Sequence, residues 1–117
     1  MASEKIFSLS FAKVYPCLIA KAQRKGRTKE EVLFLTEWLT GYSGEEIEAA
    51  LSSDLTYGDF FRSAPAMHPS RGLMKGSICG IRLDAIEDPL MKDIRILDKL
   101  VDDLAKGKPM EKILPKE

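Results

Sequence analysis

The sequence predicts a mainly α-helical fold, a compact bundle of about five helices with room for one short extended segment near 78–83. Two observations predict it. Apolar residues recur at helical spacing in three separate stretches, and two capping boxes mark helix starts fifteen positions apart, at Thr28 and Ser43. Nothing repeats and no low-complexity linker divides the 117 residues, so the chain is read as a single domain with its core in about 5–114.

The first stripe is Phe11, Val14, Tyr15, Leu18, Ile19 and Ala22, spaced as one face of a helix. Ser10 is its expected N-cap, and Gly26 follows a basic last turn at Arg24 and Lys25 that suits the helix dipole. Pro16 interrupts the pattern. It either kinks the first turns or moves the start to Tyr15-Pro16, with proline at the first helical position.

Thr28-Lys29-Glu30-Glu31 opens a second helix, with Val32, Phe34, Leu35, Trp38 and Leu39 in period and Gly41 as its stop. Ser43-Gly44-Glu45-Glu46 opens a short third one, with Ile47, Ala50 and Leu51 inward. Thr56 begins a brief helix carrying Tyr57, Phe60 and Phe61, which Pro65 ends. The stretch 65–76 holds two further turn-forming glycines beside its prolines and reads as an irregular connection. The segment 77–86 fits strand alternation through Cys79, Ile81 and Leu83, and also helix through Ile78, Arg82, Ala85 and Ile86; a short helix or turn is preferred. Asp88-Pro89 then caps the last long helix, with Leu90, Ile94, Leu97, Val101 and Leu104 on one face. Met110, Ile113 and Leu114 form an apolar tail expected to dock back. The predicted core is Phe11, Leu18, Val32, Leu35, Trp38, Ile47, Phe60, Phe61, Ile94, Leu97 and Val101.

Composition excludes several classes. An apolar fraction of 44% with 31% charged residues is that of a globular chain, not a disordered or collagen-like one. The longest unbroken apolar runs are four residues, against the roughly 20 of a membrane-spanning helix, so no membrane association is expected. Glu4 and the lack of an apolar leader argue against a secretory signal, and two cysteines make no disulfide framework; a cytoplasmic protein is expected.

The 18 basic and 18 acidic residues cancel overall yet are segregated along the chain. Seven basic residues and no acidic one lie between Lys5 and Lys29, and eight acidic residues and no basic one between Glu30 and Asp59. The simpler reading is that a basic first helix lies against acidic second and third helices, their rims partly compensating. The sharper one is a basic pole, Lys21, Arg24, Lys25 and Arg27, that meets an anion. Arg71 and Lys75, among the glycines at 72, 76 and 80, extend that anion-binding set, although the glycine spacing matches neither known phosphate-binding loop. The second and third helices have the outline of a helix-turn-helix, but Glu45, Glu46 and Glu48 give the would-be reading helix the wrong charge for base recognition.

Reactive side chains are few. His68 is the only histidine, and a thiolate nucleophile would require it to meet Cys17 or Cys79, both expected to be packing groups. Asp98 and Asp102 stand four apart on the last helix, where a solvated stripe is more common than an acid/base pair. No metal-ligand spacing occurs, and neither a metal nor a cofactor is implied.

One ordered set of short motifs spans the chain. It runs through Tyr15-Pro16, Lys25-Gly26-Arg27-Thr28-Lys29, Trp38-Leu39-Thr40-Gly41-Tyr42, Phe60-Phe61, Ala64-Pro65, Ile78-Cys79-Gly80, Glu87-Asp88-Pro89, Leu97-Asp98-Lys99-Leu100 and Ala105-Lys106-Gly107-Lys108. The set resembles the bacterial family catalogued as domain of unknown function 2200, from about Lys5 to Leu114. The resemblance implies a small prokaryotic cytoplasmic protein and supplies no activity, cofactor or catalytic residue. The function expected from the residues is a non-catalytic interaction or ligand-binding module with a protein partner or small ligand. The alternatives are weak nucleic-acid or anion binding through segment 21–29, and an enzyme using carboxylates or a Cys/His pair.

Overall fold

The computed structural model describes residues 2–74, 76–78 and 80–115, with 2–4 as backbone only. Among them are six α-helices: α1 (Phe11–Arg24), α2 (Lys29–Thr40), α3 (Gly44–Leu51), α4 (Tyr57–Arg62), α5 (Pro89–Ala105) and α6 (Met110–Ile113). Two short strands, β1 (Ser77–Ile78) and β2 (Ile81–Arg82), pair antiparallel, with Ser77 opposite Arg82 and Ile78 opposite Ile81. Turns of 3-10 helix cover Ala2–Ser8, Pro69–Leu73 and Leu83–Ala85. The fold is mainly helical, as expected.

Most helix starts are set by the side chains the sequence offers. The Thr28 hydroxyl accepts from the Glu31 amide at 3.1 Å, and the Glu31 carboxylate accepts from the Thr28 amide at 2.9 Å. Ser43 and Glu46 repeat this reciprocal pair at 3.1 and 2.9 Å. Each such cap stabilises its helix by about 1 kcal/mol. Thr56 caps α4 through the Asp59 amide, and Asp88 caps α5 through the Leu90 amide with Pro89 in the first turn.

α1 differs. It starts at Phe11 and carries Pro16 inside it, so the alternative start at Tyr15-Pro16 is not taken, and the Ser10 side chain makes no cap bond. Its first amide is satisfied from outside: Phe11 N–H donates to the Leu55 carbonyl at 2.9 Å, and Tyr57 N–H donates to the Leu9 carbonyl at 2.7 Å. This bridge sets the starts of α1 and α4 side by side. Phe11 then stacks on Tyr15 and Phe60, with ring centroids 4.8 and 4.0 Å away.

The preference for a helix or turn over 77–86 is corrected in its first half, where the chain is the β1–β2 hairpin; a 3-10 turn follows. Ile78 and Leu83 are both buried while Ile81 is 46% exposed. Residues five apart fall on different sides of a helix, whereas a reversal of the chain lets both reach the core.

α5 is the central element, against which α1, α2, α4, α6 and β1 pack. Of the predicted core, Phe11, Val32, Leu35, Ile47, Phe60, Phe61, Ile94, Leu97 and Val101 are buried; Leu18 and Trp38 sit at its margin, partly buried. α5 also buries a second row, Ile96, Leu100 and Asp103, because neighbours cover it on more than one side. The tail docks as expected, with Ile113 buried and Met110 and Leu114 packed on the core. No described helix is long and apolar enough to cross a membrane.

Candidate functional site

Where α5 ends, Gly107 and Pro109 turn the chain so that α6 folds back on it. Between these helices and the connection before β1 lies an open groove of about 420 Å³. Its floor is an ion pair from consecutive turns of α5: Lys99 Nζ stands 3.0 Å from Asp103 Oδ1, with side chains only 13% and 6% exposed. The same Asp103 oxygen lies 3.6 Å from Lys108 Nζ, on the rim. Lys112, from α6, lines the groove and has no ion-pair partner among the described residues. Leu73, Met74, Ile113 and Leu114 supply an apolar wall.

Gly76 roofs the pair. Its φ is +104°, and a Cβ there would stand 3.2 Å from Lys99 Cε. Its carbonyl accepts from the Leu83 amide at 3.0 Å, which ties the roof to the turn after the hairpin. A smaller groove of about 210 Å³ shares Met74 and Gly76 and is lined also by Arg82 and Asp84, themselves paired at 3.0 Å.

The anion-binding residues expected from sequence are dispersed. Lys21 Nζ meets Asp102 of α5 at 3.0 Å. Arg27 grips Glu31 at 2.7 Å and donates to the carbonyls of Leu104 and Lys108. Arg71 pairs with Asp93 at 2.9 Å and donates to the His68 carbonyl. Arg24 and Lys25 are exposed, with no ion-pair partner among the described residues. Lys75 lies outside the described residues. The two charge blocks do meet in part, since Lys29 pairs with Glu48 across α2 and α3 at 2.7 Å. What the sequence reading missed is that α5 and the residues after it supply the lysines that converge. The glycine-rich connection around Gly72 and Gly76 was the legible half of the site.

Cys17 is exposed on α1, its thiol 3.5 Å from the Lys13 carbonyl, so its expected packing role is corrected: it points away from the apolar face. Cys79 lies outside the described residues. The His68 ring stacks on Trp38 with centroids 4.1 Å apart, and its Nδ1 accepts from the Ser70 amide.

The carboxylates of α5 are not a solvated stripe either. Asp98 is held by Arg95 at 3.0 Å, and burial raises its carboxyl above the ordinary aspartate range. Asp102 is partly desolvated too, but the ammonium groups of Lys106 and Lys21 hold it below that range. Neither lines a groove described above. Among the described residues no three His, Cys, Asp or Glu side chains gather as metal ligands would.

Comparison with known proteins agrees with this fold. The chain is 52% identical to the protein in the "Crystal structure of uncharacterized protein SP1917", with a TM-score of 0.90, over 94% of this chain and 90% of that one. None of the curated proteins matches. A family model matches residues 5–115, nearly the whole length, and the chain therefore belongs to the family described as "Uncharacterized protein conserved in bacteria (DUF2200)".

Proposed function

We propose that this protein is a non-catalytic binding module whose site is the groove between α5, α6 and the connection before β1. One observation carries the reading. Three lysines and one aspartate converge on a concave surface that also presents an apolar wall, the mixture by which small-ligand sites gain both affinity and orientation. The volume, about 420 Å³, is within the range of such sites. The Lys99–Asp103 pair at the floor is closed on itself, so the groups a ligand would meet are the rim lysines, Lys108 and Lys112.

The test is a titration of the 15N-labelled protein with 8-anilinonaphthalene-1-sulfonate, an apolar ring system carrying one negative charge. The amides of Met74, Gly76, Ile113 and Leu114 are expected to shift in a saturable way. Saturable shifts confined to another surface, or none at all, would overturn the reading.

A second reading rests on Arg24 and Lys25, the exposed cations at the end of α1. They support weak anion or nucleic-acid contact without sequence readout, and Lys21 and Arg27 would join them only by leaving their present partners. Retention on heparin at low salt that falls steeply with added salt, and that disappears in Arg24→Gln/Lys25→Gln, is the expected result. Absence of retention at low salt removes this reading.

A further inference from the structure

The geometry points to an anionic amphiphile as the ligand of the α5–α6 groove: a small molecule with a carboxylate or phosphate head and a short aliphatic chain. This inference rests on the groove being a binding site, and it adds the class of molecule bound.

The charge of the site gives the head group. Lys99, Lys108 and Lys112 face the groove against one carboxylate, Asp103, so the lining carries an excess of positive charge. Asp103 is nearly out of solvent and is engaged by Lys99 at 3.0 Å, whereas Lys108 stands farther off, at 3.6 Å, with half its side chain exposed. Lys112 has no ion-pair partner among the described residues. The two rim ammonium groups are thus the ones left to meet a ligand, while the floor pair stays closed. An ammonium is a compact, rotatable donor, able to meet carboxylate and phosphate oxygens alike.

The remaining lining gives the chain. Leu73, Met74, Ile113 and Leu114 are drawn from two segments far apart in sequence and stand at the same cavity as the lysines. Met74 and Ile113 are nearly buried and back the wall, so the apolar surface available to be covered is that of Leu73, which is half exposed, and of the partly buried Leu114. Covering such surface is favourable in proportion to the area removed from water, and it adds to the head-group attraction only if one molecule spans both parts. A bare anion would leave the wall uncovered. A neutral alkane derivative would leave the rim cations without a counter-charge.

The experiment is displacement of 8-anilinonaphthalene-1-sulfonate from the intact protein by four probes: octanoate, octyl phosphate, 1-octanol and inorganic phosphate, each below the concentration at which it self-associates. Octanoate and octyl phosphate should each displace the dye at about fivefold lower concentration than 1-octanol, the advantage expected of one partly exposed ion pair, and at lower concentration than inorganic phosphate, which has no chain to cover the apolar wall. That advantage over 1-octanol should shrink on raising the salt and in Lys108→Gln/Lys112→Gln, whose exposed positions leave the fold intact. Which of the two charged probes is stronger identifies the head group. Equal potency of 1-octanol overturns the charged head, equal potency of inorganic phosphate overturns the chain, and failure of every probe overturns the inference as a whole. In all three cases the dye's own mapped binding still reports separately on whether the groove is a site.

Discussion

The guanidinium of Arg27 donates to the carbonyl of Leu104, 77 positions later, at 3.1 Å. The same side chain donates to the Lys108 carbonyl at 3.0 Å and grips both oxygens of Glu31, Oε2 at 2.7 Å and Oε1 at 3.3 Å. One cation thus joins the turn before α2 to two carbonyls at the far end of the chain: that of Leu104 in the last turn of α5, which also accepts from the Gly107 amide at 3.0 Å, and that of Lys108 beyond the helix. It also steadies the backbone of Lys108 at the rim of the groove.

Arg27→Ala should therefore destabilise the protein by about 1–2 kcal/mol, a sum of charge-assisted bonds reduced by partial exposure. Arg27→Lys should recover less than half of the loss, because an ammonium cannot reproduce a fork that meets a carboxylate and two carbonyls together. Urea denaturation of the three proteins measures this; full recovery in the lysine variant would show that charge alone matters.

Glu31 supplies a pH dependence. The Arg27 guanidinium, together with the Thr28 amide, holds its carboxyl down at about 2, against 4.5 without these partners. A depressed folded-state value means that the ionised group stabilises the fold above pH 4.5, and that this is lost as pH falls towards 2. The stability difference between the wild type and Glu31→Gln should accordingly be constant near neutrality and shrink across that acid window. Denaturation curves taken at intervals from pH 6 to pH 2 check it, and a gap that persists unchanged to pH 2 contradicts the assignment.

The buried pair behaves differently from the surface ones. Asp103→Ala leaves Lys99 almost out of water without its counter-ion and should cost about 3 kcal/mol. Lys99→Met should cost less, since Lys108 remains near Asp103. The double variant Lys99→Met/Asp103→Leu should regain much of the loss, as apolar replacements of buried pairs commonly do. Thermal denaturation of the set decides; a double variant as unstable as Asp103→Ala would show that the pair is not the source of the cost.

Gly76→Ala is expected to lower stability by about 1–2 kcal/mol through its positive φ alone. Its Cβ would also press on Lys99, so the amide resonances of Lys99 and Asp103 should move in the folded variant. Unchanged resonances there would mean that the roof does not touch the pair.

Gly41 illustrates why some of this was open to a reader of the chain and some was not. Its place after Leu39-Thr40 marks it as a helix stop, and it takes a φ of +80° there. Yet a Cβ at Gly41 would also stand 2.7 Å from that of Ala66, a close approach that no local pattern reveals. Cys17 shows the opposite failure. One position off the stripe of Tyr15, Leu18 and Ile19 was enough to send its thiol to solvent. Asp103 reads as one more polar residue beside Asp102, and only the crowding of α5 by its neighbours makes it the buried half of an ion pair.

The capped helix starts, the helix faces and the family of the chain were determined by the amino-acid order, because a cap reaches three residues and a helical stripe repeats every three or four. The start of α1 was instead decided by its bridge to Leu55. The tertiary structure decided which charges neutralise each other. It took Lys21 and Arg71 into pairs with Asp102 and Asp93, carried Arg27 to the carbonyls of Leu104 and Lys108, and gathered Lys99, Lys108 and Lys112 around one groove. The reason is range. Local bonding is written within a turn of chain, whereas a charged surface is the meeting of segments whose separation in sequence carries no record of their distance in space.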